Sequence, residues 1–175
     1  MSDVDRTRWE QKYADGHHLG AEPDPFVLSM LPSAQPGATS ARALDVACGC
    51  GRHAIALSDR GFDVDACDIS PSALSFARER AGDRPIRFLE VDLDAPRFER
   101  SAYAVIVSVD FSNAELAPAL VDALAPGGLL VHVARPQACC SYGPKPGELH
   151  DWYVGLDVVT YEERADRIHF AGRRP

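Results

Sequence analysis

From residue 43 onward, apolar positions fall into two alternating patterns. Short, near-continuous apolar runs alternate with stretches in which apolar residues recur every three or four positions. The first pattern suits a strand covered on both faces, and the second suits one face of a helix. Residues 43–47 read as the first strand. Residues 52–60 read as a helix with Ala54, Ile55 and Leu57 inward and Gly61 at its stop. Residues 62–68 form the second predicted strand. Ser70-Pro71 is a helix start, a capping hydroxyl followed by proline in the first turn, and that helix runs to about Ala81 and ends at Gly82. Strands are predicted at 86–91 and 103–109. A helix opened by Pro118 follows and is ended by Pro126-Gly127-Gly128. A strand at 129–134 comes next. Beyond a Gly/Pro-rich loop (136–147), a short helix is expected at 148–153. Two closing strands, 156–161 and 167–172, are joined by a short turn and are expected to pair antiparallel.

This alternation predicts an α/β fold, a doubly wound, mostly parallel sheet with helices on both faces. Residues 1–42 have a different texture. They hold a short polar helix candidate (5–13), the Gly-flanked His17-His18, the proline-punctuated segment 22–25, an apolar turn at 26–31 stopped by Pro32, and a Ser/Ala/Pro/Gly loop. We read them as a flap or lid (1–42) leading into one core domain (43–175).

The chain has 175 residues, enough to bury a core without staples. Its formal net charge is −8, which disfavours nucleic-acid backbones as partners. No apolar run approaches the roughly 18–20 residues of a membrane span, and the N-terminus has no apolar signal core. The five cysteines (48, 50, 67, 139 and 140) are odd in number and contain no C-x-x-C pair. They argue against a disulfide framework and for a cytoplasmic location. Cys48-x-Cys50 with His53 is a poor match to zinc-ligand spacing, so no metal is expected.

The chemistry concentrates at Leu44-Asp45-Val46-Ala47-Cys48-Gly49-Cys50-Gly51-Arg52, where a strand turns into a helix. Gly49 and Gly51 let a ligand approach the backbone, and a helix N-terminus offers free N–H groups. A bare G-x-G is weak evidence and fits a tight turn equally well. Here Asp68 ends the second strand 19 residues after Gly49, placed to accept bonds from ribose hydroxyls. Asp92 lies near the end of the third strand, within reach of an adjoining base or, alternatively, serving a turn. Asp45 lies inside a buried strand, where an ionised carboxylate is costly unless paired, and is read as facing a ligand cleft. Three strand ends in register predict a nucleoside site. Gly49-x-Gly51-x-x-Ala54 also fits the loose dinucleotide fingerprint. Against a nicotinamide cofactor stand the acid at Asp45, which would face a pyrophosphate, and the lack of a second domain. S-adenosylmethionine carries no phosphate and is cationic at its sulfonium, which suits acidic surroundings.

Segments 44–52 and 64–74 (Val-Asp-Ala-Cys-Asp-Ile-Ser-Pro-Ser-Ala-Leu) resemble the first two motifs of class I S-adenosylmethionine-dependent methyltransferases. Residues 124–130 (Leu-Ala-Pro-Gly-Gly-Leu-Leu) match the segment before their fifth strand. Trp9-x-x-x-Tyr13, 22–26 and 143–149 resemble the small-molecule branch that includes tellurite-resistance and thiopurine methyltransferase-like proteins. The resemblance implies seven strands in the order 3-2-1-4-5-7-6 with the last reversed. It implies that Asp45, Ala47, Gly49 and Gly51 line the methionine and ribose portion of S-adenosylmethionine. It further implies Asp68 on the ribose, Ile69, Asp92 and Leu93 around the adenine, Val109 under the sulfonium, and Tyr13 closing over the methionine end. Ala104 and the segment 110–113 depart from that branch, and the second departure leaves the acceptor open. His17, His18, Phe26, Phe111 and Tyr142 are the candidate walls of an acceptor pocket. No catalytic residue is assigned, though Asp110 or a lid histidine is placed to take a proton. The expected activity is methyl transfer to a small molecule. The alternatives are a non-catalytic nucleoside-binding or regulatory module and a nicotinamide-dependent oxidoreductase.

Overall fold

The computed structural model describes residues 3–16, 20–34 and 41–175. Seven strands form one sheet: β1 (Arg42–Val46), β2 (Asp63–Asp68), β3 (Ile86–Glu90), β4 (Tyr103–Val109), β5 (Leu124–Ala134), β6 (Asp157–Glu163) and β7 (Ile168–Arg173). Their order is β3-β2-β1-β4-β5-β7-β6, as the sequence resemblance implies. β1 to β5 are parallel, and β7 runs antiparallel to both β5 and β6.

Strand alternation sorts the apolar side chains into two cores, one per face. Leu44, Val46, Ile106 and Leu130 pack with Leu116, Leu120 and Leu149, which belong to the turn Ala114–Leu116 and helices α5 (Ala117–Ala123) and α6 (Glu148–Trp152). Ala43, Val105, Val107, Val131 and Val133 pack on the other face with Val27, Leu57 and Leu74 from helices α2 (Pro25–Met30), α3 (Arg52–Ser58) and α4 (Pro71–Ala81). Both faces are therefore dry, which is why the strands read as apolar runs rather than alternating ones.

Local chemistry sets the helix starts. The Ser70 hydroxyl accepts the Ala73 N–H at 3.1 Å, with Pro71 in the first turn of α4. The Asp24 carboxylate accepts the Phe26 N–H at 2.8 Å to open α2. Helix α1 (Asp3–Ala14) packs on α4, where Tyr13, Cys50 and Ala73 form a small third cluster edged by Trp9 and Phe76.

One boundary differs from the sequence reading. Pro126-Gly127-Gly128 lies inside β5 rather than between a helix and a strand: α5 stops at Ala123, and β5 begins at Leu124. Tyr103 pairs with Leu124 but Val105 pairs with Leu129, so the extra residues are absorbed as a bulge, with Gly127 at φ +75°. Among the described residues, no helix is long and apolar enough to cross a membrane.

Candidate functional site

The strand order reverses between β1 and β4, and a cavity opens there at the carboxyl ends of the strands. Its floor is built from the residues at the ends of β1, β2 and β4. Ala47, Cys48, Gly49 and Cys50 come after β1, Asp68 ends β2 with Ile69 following it, and Val109 ends β4 with Asp110 and Phe111 following it. Leu93 comes from the loop after β3, and Trp9, Tyr13 and Ala21 come from the N-terminal segment.

The loop after β1 is pinned from below. The Asp68 Oδ2 accepts the Gly49 N–H at 2.8 Å, and its Oδ1 accepts the Ser70 N–H at 3.0 Å. Burial raises the Asp68 carboxyl despite those bonds. Gly49 stands at φ +51°, and a Cβ built there would come within 2.6 Å of the Tyr13 hydroxyl oxygen. Only glycine leaves room for the α1 side chain over the loop. Tyr13 is itself buried, which raises its phenol well above the ordinary range. Among the described residues, two of the three non-glycine residues with positive φ, Ala47 (54°) and Asp110 (58°), sit on this floor. Backbone held in that region stores strain that the surroundings must maintain.

Tyr13, Ala47, Gly49, Asp68, Ile69, Leu93, Val109 and Phe111 thus converge on one cavity, as the sequence reading grouped them. The others are placed differently. Asp45 points under the loop rather than into the cleft: its Oδ2 accepts the Ala54 N–H at 2.8 Å in the first turn of α3. Complete burial pushes its carboxyl up to about 7, against the opposing pull of that bond and of Arg52. Gly51 also faces away. A Cβ there would meet Ala77 at 3.1 Å and Phe88 at 3.4 Å, so its missing side chain admits α4 and β3, not a ligand. Asp92 is exposed and takes the Asp94 N–H at 3.0 Å in a local turn. Phe26 stacks on His169, with ring centroids 4.3 Å apart, and Tyr142 is 43% exposed, 5.9 Å from the Arg8 guanidinium. Neither lines the cavity. His17 and His18 lie outside the described residues.

Sequence reasoning missed three residues. Arg52 and His53 open α3 and line the cavity. The His53 Nε2 accepts the Asp24 N–H at 3.0 Å, and burial together with Arg52 lowers the imidazole to about 3, so it stays neutral. Glu10 on α1 accepts the Ser70 hydroxyl at 2.5 Å and also bonds the Ser72 hydroxyl and N–H, fastening α1 to the start of α4. Burial raises its carboxyl, but these bonds outweigh that and hold it below the usual range. Arg52 immediately follows Gly51, and that adjacency was the only sequence signal available for any of these.

The donor set fits an adenosyl group. Each oxygen of the Asp68 carboxylate accepts a backbone N–H, and lone pairs remain for two hydroxyls. Ile69 and Leu93 give apolar walls for a flat ring, and Gly49 keeps the loop bare. Among the described residues, no group of His, Cys, Asp or Glu is placed to hold a metal.

Strand order, the reversed β7 and a ligand cavity at the switch point define the class I methyltransferase architecture. Comparison with known proteins agrees. Residues 43–128 match the family described as "Methyltransferase domain". The fold is that of the class I S-adenosylmethionine-dependent methyltransferases. It is 38% identical over 74 residues to YqeM of Bacillus subtilis (strain 168), covering 41% of this chain and 30% of YqeM. The chain spans less than half the length of the curated relatives it matches. The fold is similar to that of the N-methyltransferase NodS from Bradyrhizobium japonicum WM9, solved with S-adenosyl-L-homocysteine. The TM-score is 0.77 at 21% identity, covering 99% of this chain and 100% of NodS. It is also similar to TehB from Haemophilus influenzae, with a TM-score of 0.74 at 18% identity, covering 95% of this chain and 67% of TehB.

Proposed function

We propose that this protein transfers a methyl group to a small-molecule acceptor. When bound, S-adenosylmethionine supplies a methyl carbon activated by its sulfonium. The reading rests on one observation above the rest: the Asp68–Gly49 bond sets a carboxylate with spare lone pairs beside a bare glycine loop in the cavity wall. In this reading Asp68 holds the ribose, Ile69 and Leu93 sandwich the adenine, and Ala47, Gly49, Val109 and Tyr13 surround the methionine end. Asp45 and Gly51 act one layer back, shaping the loop, and Asp92 shapes its own turn. Residues 1–42 serve as a lid, with Tyr13 and Trp9 as its inner surface and Glu10 as its fastening.

The acceptor end is then the space between Trp9, Phe111 and Asp110, a slot with aromatic walls and the Asp110–Arg52 pair at one edge. Such a slot suits a compact acceptor with a soft or weakly basic nucleophile, such as a thiol, a selenol, a metalloid anion or a heteroaromatic nitrogen. These need little proton removal, which suits a cavity whose described histidine is neutral and already accepts a backbone bond. Rate then comes from holding the two reactants in line. A cytoplasmic location fits the cysteine usage, and macromolecular acceptors fit the slot poorly.

Titration calorimetry with S-adenosylhomocysteine, NAD and NADP tests the cofactor reading, and only the first is expected to bind. Asp68→Asn keeps the shape but loses the charge. It should weaken S-adenosylhomocysteine by about 1.5–3 kcal/mol. An unchanged dissociation constant would remove Asp68 from the site. Methylation assays should show turnover on small thiols or heterocycles and none on tRNA, DNA or histone peptides. The reverse pattern would overturn the small-molecule reading.

A further inference from the structure

The histidine in the cavity wall is held by one ring nitrogen and open at the other. His53 follows Arg52 in the first turn of α3 and is 3% exposed. Its Nε2 accepts the Asp24 N–H at 3.0 Å. Asp24 lies between Pro23 and Pro25, in the linker that joins α1 to α2. Its carboxylate turns to α2, where it accepts the Phe26 and Val27 N–H groups at 2.8 and 3.4 Å. The Arg52 Nη1 donates to the Glu22 carbonyl at 3.3 Å and holds the same linker from the neighbouring position. A backbone N–H can only donate, so the nitrogen that meets it carries no proton. Burial and Arg52 keep the ring neutral. A neutral ring bonded this way bears its proton on Nδ1 and donates from there.

Among the described residues, nothing accepts that Nδ1 proton. The buried side-chain nitrogens and oxygens left without a partner there are Asp110 Oδ1, His132 Nε2 and His169 Nδ1. His53 Nδ1 is not one of them. It is unbonded without being sealed, and the open space at His53 is the cavity. His132 shows the contrast: its Nδ1 is bonded to the Tyr153 hydroxyl at 2.6 Å, and its free nitrogen is shut inside the core. A purely structural role for His53 accounts for the Nε2 bond, which a glutamine would make as well. It does not account for a second, protonated nitrogen turned to the cavity. The charge beside it is answered within the protein, since Arg52 lies 3.6 Å from the Asp110 Oδ2 and also acts on the buried Asp45. What the wall offers at His53 is a neutral N–H in a fixed direction, which suits a neutral oxygen rather than an ion.

Resting on the reading of this cavity as a methyl-acceptor site, we infer that His53 is a fixed hydrogen-bond donor that selects the acceptor by a carbonyl oxygen, with the Asp24 backbone choosing its tautomer. The acceptor class narrows to compact neutral molecules that carry a carbonyl oxygen beside the nucleophilic atom, such as an oxo-substituted N-heterocycle. His53 takes no proton in the reaction, because it already carries one on the side where the ligand lies. The linker is then part of the site: release of Glu22 to Asp24 frees Nε2, lets the proton move there and removes the donor from the cavity. Lid position and acceptor recognition are coupled through one N–H. The carboxylate at the amino-acid end of the cofactor is the other source of an oxygen, and the test separates the two.

Two measurements on the whole chain test this. Nitrogen NMR of protein with labelled histidines should find His53 protonated at Nδ1 and bare at Nε2 between about pH 5 and 8. The protein, free and saturated with S-adenosylhomocysteine, is then titrated with cyclohexanone and with methylenecyclohexane, in which a CH₂ replaces the oxygen. The ketone should bind about three- to tenfold tighter in both states, the yield of one neutral hydrogen bond. His53→Gln places its amide where Nε2 stands, keeps the Asp24 bond and leaves nothing at Nδ1. It should abolish the preference for the ketone and leave S-adenosylhomocysteine affinity within about threefold of the parent. A proton on Nε2, a ring that charges in that pH range, equal binding of the two probes, no binding of the ketone, or a preference that survives His53→Gln would each overturn the inference. A ketone preference that S-adenosylhomocysteine removes, or a larger loss of S-adenosylhomocysteine affinity in His53→Gln, would assign the donor to the cofactor and overturn it too. Tautomer and preference are also read on the free protein. A chain that shows both but binds no S-adenosylhomocysteine would sink the methyl-transfer reading and leave the donor standing.

Discussion

Each end of the sheet places a carboxylate between two arginines, and the two trios are built to opposite standards. At the amino ends of the strands, Asp65 on β2 is buried and takes Arg42 from β1, both sides of Arg87 from β3, and the Tyr103 hydroxyl from β4 at 2.8 Å. Four neighbouring strands are tied by one side chain. At the carboxyl ends, Asp110 stands 3.5 and 3.6 Å from its arginines, on strained backbone, beside a cavity. The titration directions divide the same way. Burial pushes Asp65 up, but the bonds from Arg87, Arg42 and Tyr103 outweigh it, and its carboxyl sits below the usual range. Burial wins at Asp45 and Asp68, and both are raised. Asp65 closes every contact it makes, and Asp110, beside Arg52 in the cavity wall with Arg167 behind it, closes neither of its own. One end of the sheet stabilises the fold, and the other stores what the site needs.

The widest expected gap comes from removing the charge at each end. Asp65→Asn should lose about 2–3 kcal/mol of stability at pH 7, below the full cost of breaking a buried pair because Arg42 and Arg87 are partly exposed. Asp110→Asn should change stability by less than about 0.5 kcal/mol, having no closed hydrogen bond to lose. Urea unfolding of both variants decides this, and equal losses would erase the distinction. The sign with pH follows from the lowered folded value. The Asp65 contribution is present above the unfolded carboxyl value near 4 and is lost as pH falls through the folded one. The Asp65→Asn deficit should therefore shrink in acid.

Asp45 carries the opposite sign. Its folded value, about 7, lies above the unfolded one near 4, so its contribution is fully present below about 4 and is lost as pH rises through 7. Asp45→Asn keeps an oxygen for the Ala54 N–H and removes the ionisation. Relative to the parent, the variant should gain about 2 kcal/mol between pH 5.5 and 8, since roughly 1.4 kcal/mol accompanies each pH unit until the folded group ionises. His53 and His132, lowered by burial to about 3 and about 4, also shape the parent's curve, but they cancel in the difference between the two proteins. A difference flat with pH would show that Asp45 carries no such burden.

The same division explains what could be read in the sequence. Five apolar runs, the Ser70-Pro71 start and the short final turn were enough for the element order, because burial on both faces leaves little else a strand can be. Gly49 and Asp68 were legible because strand ends are legible and the cavity lies where strands end, while Ile69, Leu93 and Val109 came only from the family resemblance. Direction was not. Asp45 is on the right strand but bonds Ala54 beneath the loop, and Gly51 makes room for Ala77 and Phe88. Both depend on where α3 and α4 come to rest, which no local pattern encodes. The Arg52–Asp110–Arg167 trio joins residues 58 and 57 positions apart, and Glu10 meets Ser70 and Ser72 across about 60. Such pairs have no spacing rule. Pro126-Gly127-Gly128 misled because a bulged strand and a helix stop use the same residues.

The smallest expected effect tests whether strain is kept at the site end. Ala47 (φ 54°) lies on the cavity floor, and Ser101 (φ 54°) lies before β4 at the far end. A left-handed alanine costs roughly 1–2 kcal/mol, and glycine removes that cost but adds about 0.4–1 kcal/mol of unfolded-state entropy. Ala47→Gly should therefore raise stability by about 0.5–1 kcal/mol, seen as a urea midpoint shift of a few tenths molar. Ser101→Gly relieves the same strain but gives up the 3.0 Å bond between its hydroxyl and Arg174, so it should come out near zero. If Ala47 is kept because it shapes the loop, the stabilised Ala47→Gly protein should bind S-adenosylhomocysteine more weakly, while Ser101→Gly should bind it as the parent does. A stabilised variant with undiminished affinity would show that the left-handed residue on the floor is tolerated rather than used.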